Sequence, residues 1–263
     1  MDLKLNGKRG LICGGSSGLG RAVATALVAE GADVVLLSRD AGTLCPAAAA
    51  MTAAGPGRAE YVVADLGDHA SLLAAVDRAE ALLGGPIEIL LNNTGGPPPS
   101  GVAGLDPELW RAQFEAMVLS VFRLTDRVLP AMRAAGWGRI LNVASVTVIE
   151  PSAALGVSNT LRASIAAWAK TLAGEVAADG VTVNTLLPGR IDTPRIDRLD
   201  KAAAERAGVT PEQARAESVK SIPVGRLGSP EEFGATAAFL ASPLAAYVTG
   251  SLIRLDGGAV KAI

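Results

Sequence analysis

The chain has 263 residues, of which 49% are hydrophobic and only 3% aromatic, and its net charge is −2. Near-neutrality gives no electrostatic reason to expect nucleic acid or an anionic membrane as partner. Two cysteines, Cys13 and Cys45, are too few for a disulfide framework or a zinc cluster, so no metal site is expected.

A core so poor in rings must be built from Ala, Val, Leu and Ile, a mix that suits thin parallel strands under closely packed helices. Nearly continuous apolar runs occupy residues 9–15, 32–38, 59–65, 87–93, 138–145 and 181–189, and "SLIRLDGG" at 251–258 adds a seventh. Such runs are how strands buried on both faces read. The segments between them are long enough for crossover helices. The alanine-rich stretch 47–54 falls between two strands and is expected to be an outer helix. Asp106 followed by Pro107 marks a helix start, and "TPEQ" from Thr210 and "SPEE" from Ser229 are capping boxes closed by Gln213 and Glu232. Segment 190–222 carries charges of both signs and little periodicity, and is expected to be an irregular lid over a ligand cleft. No linker divides the chain. The expectation is one α/β domain over 1–263: a doubly wound parallel sheet of about seven strands with helices on both faces. No apolar signal segment opens the chain and no run reaches the ~18 residues of a membrane span, so a cytoplasmic location is expected.

The first strand runs into "CGGSSGLGR", where Gly14, Gly18 and Gly20 have the spacing G-x-x-x-G-x-G. Glycines let the backbone turn tightly and approach a pyrophosphate, while the following helix offers free N–H groups and partial positive charge. Ser16 and Ser17 add hydroxyl donors. A dinucleotide is the expected ligand. An acidic side chain after the second strand would select NAD(H), but the chain has Ser38 and Arg39 there. A guanidinium suits the 2′-phosphate, so NADP(H) is favoured over NAD(H).

Together these motifs resemble the short-chain dehydrogenase/reductase family over essentially the whole chain. Cys13 stands in the place of the threonine that opens the family's glycine motif. "NNTG" at 92–95, with Asn92 and Gly95, is similar to its N-N-A-G. Asp65 and Leu66 match the pair beside the adenine. "PGRIDT" at 188–193, with Pro188, Gly189, Ile191 and Thr193, matches the segment that holds the nicotinamide carboxamide, and Leu19 lies in the glycine turn. The resemblance implies a Rossmann-type sheet ordered 3-2-1-4-5-6-7, a homotetramer or homodimer, and hydride transfer between a nicotinamide and a small carbonyl or alcohol substrate.

It also implies a serine, a tyrosine, a lysine four residues after the tyrosine, and an asparagine on the preceding long helix. Ser145 matches the serine. Ser158 stands in the tyrosine's place, Arg162 in the lysine's and Met117 in the asparagine's. Arg162 can still bind ribose hydroxyls and stays charged, but a serine hydroxyl does not titrate near neutrality. Tyr61, Tyr247 and His69 fall on segments remote from Ser145, and Glu150 is a candidate alternative proton source. The catalytic candidates are therefore Ser145, Ser158 and Arg162. Two readings stand open: an NADP-dependent oxidoreductase with an altered proton donor, or a cofactor-binding sensor or partner subunit without turnover.

Overall fold

The computed structural model describes residues 2–263. Its strands are β1 (Arg9–Cys13), β2 (Asp33–Ser38), β3 (Ala59–Val63), β4 (Ile89–Asn92), β5 (Gly138–Val143), β6 (Val181–Pro188) and β7 (Leu252–Leu255). They form one all-parallel sheet in the order β3-β2-β1-β4-β5-β6-β7, a doubly wound, Rossmann-type arrangement as expected.

Strand side chains alternate between the faces. From β1 and β2, Ile12, Val34 and Leu36 pack into one apolar layer and Leu11, Val35 and Leu37 into the other. The first layer is closed by α1 (Gly18–Ala29), α2 (Ala41–Ala54) and α9 (Pro230–Ala241); the second by α3 (His69–Leu83), α5 (Ser120–Ala134) and α6 (Gly156–Val176). Burial on both faces explains why the strands read as unbroken apolar runs. Between β1 and β4 the strand order reverses, and the loops leaving their carboxyl ends part to leave a crevice.

The cap signals hold. Asp106 accepts from Glu108 N at the start of α4 (Pro107–Phe114), and α9 carries its Ser229–Glu232 capping box. Pro107 opens α4, and the 47–54 stretch lies inside α2. Between α4 and α5 lies one wide π-helical turn, Glu115–Leu119, whose Met117 and Val118 pack against Val157, Leu161 and Ile165 of α6.

Segment 190–222 is not irregular. It holds α7 (Pro194–Ala207) and α8 (Pro211–Lys220), the latter opened by the Thr210–Gln213 box. The buried stripe of α7 is Ile196, Asp200 and Ala204, spaced four apart. Its central member is an aspartate, hidden because Arg190 binds it and Arg215 Nε donates to it at 3.0 Å. A helical stripe with a carboxylate at its middle does not show as apolar periodicity. No helix among the described residues is long and apolar enough to cross a membrane.

Candidate active site

Two cavities open along the crevice and share Gly14, Ser17, Asn93, Gly95 and Gly96. The larger, about 520 Å³, is lined at its far end by Ser16, Ser38, Arg39, Asp65 and Leu66. The smaller, about 300 Å³, is lined by Ser145, Ser158, Arg162, Thr193 and the first turns of α7. The motifs dispersed along the sequence thus meet in one continuous groove, because every parallel strand delivers its following loop to the same edge of the sheet.

The glycine turn sits where the cavities join. Gly14 and Gly18 have φ of +64° and +54°, in the left-handed region that a side chain strains. A Cβ on Gly14 would lie 2.6 Å from Asn93 Nδ2, and one on Gly20 only 2.3 Å from the Gly14 carbonyl oxygen. A Cβ on Gly18 would instead point across the groove to within 3.7 Å of Thr193. Ser17 caps α1 without any side-chain hydrogen bond to its first turn. An uncapped helix start beside a cradle of bare backbone fits a dinucleotide pyrophosphate. At the far end Arg39 is exposed and in no ion pair among the described residues, while Asp40 is committed to capping α2 through Gly42 N at 2.9 Å.

In the smaller cavity Ser145, just past β5, accepts from Thr147 N at 3.2 Å, which leaves its hydroxyl hydrogen free. Ser158 lies in the first turn of α6. Arg162, one turn later, donates from Nε to Ser158 Oγ at 3.3 Å and from Nη1 to the Val143 carbonyl at 2.8 Å. Its Nη2 reaches the Thr94 and Gly95 carbonyls, both at 3.4 Å. Burial, together with the neighbouring Arg195, pulls the Arg162 guanidinium down to about 10, which leaves it charged through the neutral range. The side chain ties α6 to β5 and to the loop after β4, and it fixes Ser158 at the cavity wall.

Residues 14–260 match the family described as enoyl-(acyl carrier protein) reductase. The D-beta-hydroxybutyrate dehydrogenase of Cupriavidus necator is 36% identical over 97% of this chain and 98% of its own. The 3-oxoacyl-[acyl-carrier-protein] reductase of Vibrio cholerae is 33% identical over 97% and 98%. The chain belongs to the short-chain dehydrogenase/reductase family. Among solved structures, L-sorbose reductase from Gluconobacter frateurii, complexed with NADPH and L-sorbose, superposes with a TM-score of 0.94 at 31% identity over the whole of both chains.

Not every residue read from the sequence of this short-chain dehydrogenase/reductase reaches the groove. Asn92 turns into the core, where its Nδ2 donates to Asn142 Oδ1 at 2.9 Å and Thr125 Oγ1 at 3.2 Å. Its neighbour Asn93, passed over in the sequence, lines both cavities and donates to the Cys13 carbonyl. Strand parity separates the two: β4 ends at Asn92, whose side chain faces the strand's neighbours, and the chain leaves the sheet at 93. Gly20 lies under the turn and lines neither cavity. Glu150 does not line the cavity: its Oε1 accepts from Lys261 N at 2.8 Å and Ala262 N at 3.3 Å and so anchors the C-terminal segment. Tyr61, Tyr247 and His69 line neither cavity. Arg195 and Arg198, also missed, do line the smaller one. Their only sequence signal was the helix-opening "TP" before them, which sets them on the first turns of α7.

Proposed function

We propose that this chain is an NADP(H)-dependent oxidoreductase that interconverts a small carbonyl and alcohol, with a guanidinium-polarised serine standing where the family places its tyrosine. The observation that carries this reading is the Arg162 Nε–Ser158 Oγ hydrogen bond at 3.3 Å, within the cavity that Ser145 also lines. When bound, the nicotinamide supplies or accepts the hydride. Everything else falls to the protein. Arg162 occupies a lone pair of Ser158 with a charge-assisted donor, leaving the hydroxyl hydrogen for a substrate oxygen. The partial positive charge at the start of α6 adds to its acidity as a donor. Ser145, with its own hydrogen free, provides the second donor. Together they hold the charge that develops on the substrate oxygen in the manner of an oxyanion hole, and water supplies the proton.

Arg39 supports NADP(H) as the cofactor, since it stands uncompensated at the end of β2 beside the larger cavity. In this reading residues 1–263 work as one domain, and 190–222 is the lid. Assembly into a homodimer or homotetramer is part of it, supported by exposed Phe239, Leu244, Tyr247 and Leu252 along the C-terminal edge.

The test is NADPH oxidation across a carbonyl panel. Ser145→Ala and Ser158→Ala should each lower kcat by roughly 10²-fold, the scale of one oxyanion donor. A second reading, a cofactor-binding sensor or partner subunit, is favoured by Met117, which puts a buried thioether where the family has a polar amide. No turnover on any carbonyl alongside tight NADPH binding would select it.

A further inference from the structure

Three arginines, Arg162, Arg195 and Arg198, line the smaller cavity, and no aspartate or glutamate does. Of the three other arginines of segment 190–222, Arg206 is exposed away from the cavity and the remaining two are neutralised. Arg190 binds Asp200, and Arg215 holds Asp192 at 3.0 Å, Asp197 at 2.8 Å and Asp200 at 3.0 Å. The aspartates of α7 and its approach are thus spent outside the cavity, and Arg162, Arg195 and Arg198 form no ion pair among the described residues.

Arg195 reaches from α7 across the groove to the loop after β4, where it donates to the Gly96 carbonyl at 3.4 Å and the Pro97 carbonyl at 3.1 Å. A Cβ on Gly96 would lie 3.0 Å from Arg195 Nη2 and 3.7 Å from Arg162 Nη2, so the two guanidinium groups converge on one spot. Their like charges oppose one another: burial and then Arg195 lower Arg162, while burial and then Arg198 lower Arg195. Carbonyls and one aromatic face can hold a single buried arginine, as Gly138, Gly180, Ser242 and the Trp137 ring do for Arg139. Three arginines around one cavity are a different case, since they focus a positive field into a low-dielectric space.

We infer that the substrate of this site carries a carboxylate, bound by Arg195 and Arg198 at the lid end of the cavity and held in the field of Arg162. The inference rests on the reading of the cavity as a substrate site. A planar guanidinium matches a carboxylate in bidentate geometry, and Leu155, Ile196 and Leu199 line the same walls to receive a short apolar chain. The anionic groups of an NADP cofactor have separate receptors in the uncapped start of α1 and in Arg39. With about 300 Å³ available, a small oxo acid or hydroxy acid fits.

The experiment uses 2-, 3- and 4-oxo carboxylates against their methyl esters, acetoacetate against methyl acetoacetate among them. Binding is read from the thermal shift of the NADP-saturated protein, and turnover from NADPH oxidation. The acids should bind on the order of ten- to a hundredfold more tightly than the esters. Arg195→Gln and Arg198→Gln should each erase most of that preference, Arg195→Lys should keep part of it, and NADPH affinity should change by less than about threefold. Esters binding as well as acids, or no acid binding at all, overturns the inference. So does a loss of NADPH affinity matching the loss for acids, which would make the cofactor's pyrophosphate the anion. Acid binding without turnover upholds the carboxylate site and removes the oxidoreductase reading, whereas turnover of esters alone does the reverse.

Discussion

Ser158 and Arg162 are joined by one hydrogen bond of 3.3 Å on consecutive turns of α6, and the proposed chemistry depends on that bond. Serine does not titrate near neutrality, and the smaller cavity is lined by no histidine, cysteine, tyrosine, lysine, aspartate or glutamate. With Arg162 at about 10, kcat/KM for carbonyl reduction should therefore be level from about pH 6 to about pH 9. A sloping profile across that range would reveal an acid that the cavity does not display. The double variant Ser158→Tyr, Arg162→Lys should introduce such an acid, because the lysine charge draws the phenol down toward the working pH. Reduction needs the phenol protonated, so in the variant its rate should fall as pH rises through the phenol's pKa, and oxidation should climb. Generic ketone reduction should rise by about tenfold or more, within the ~10²–10⁴ that acid–base catalysis contributes. Met117 holds the gain down, since its buried thioether offers no polar support to a relay water.

At the scale of elements, the β1–α1 turn separates two roles that its glycines share in the sequence. Gly20 is where α1 closes onto β1, and a methyl there would strike the Gly14 carbonyl at 2.3 Å. Gly18 borders the open groove, where a methyl meets only Thr193 at 3.7 Å, although its φ of +54° adds strain. Gly20→Ala should therefore destabilise by several kcal/mol, in the range of overpacking against rigid backbone. Gly18→Ala should cost about 1–2 kcal/mol, the scale of a left-handed alanine, and yet lose most dinucleotide affinity. Thermal unfolding with and without NADPH distinguishes them. A Gly18→Ala protein of wild-type NADPH affinity would move the pyrophosphate away from this turn.

For the whole molecule, a dinucleotide would span the groove from Arg39 to Ser145 and so touch loops from β1, β2, β4, β5 and β6 together. A ligand that binds only the folded chain stabilises it by about 2.7 kcal/mol at a hundred times its Kd. At this size that corresponds to a rise of roughly 5–10 °C in Tm. NADPH should produce that rise at lower concentration than NADH. Arg39→Asp should reverse the order, because a carboxylate repels the 2′-phosphate and accepts from a free 2′-hydroxyl. An order unchanged by the substitution would place the phosphate's partner elsewhere.

The layer architecture, the strand order and the caps at Asp106, Thr210 and Ser229 were legible in the sequence. Buried parallel strands leave unbroken apolar runs, capping is local chemistry within four residues, and the motifs of the resemblance carry the order of the strands. The glycine spacing likewise announced the tight turn after β1, because the left-handed backbone at Gly14 and Gly18 favours glycine. Which of Asn92 and Asn93 faces the groove was decided by where β4 ends, and that depends on its register with β5 at Asn92↔Asn142. Helix α7 stayed hidden because it buries a carboxylate, which only becomes tolerable once Arg190 and Arg215 fold against it. The arginine-lined cavity is the furthest from the sequence. Arg162 and Arg195 lie 33 positions apart, on α6 and on α7, and the passage of β6 between them is what brings their charges to one spot.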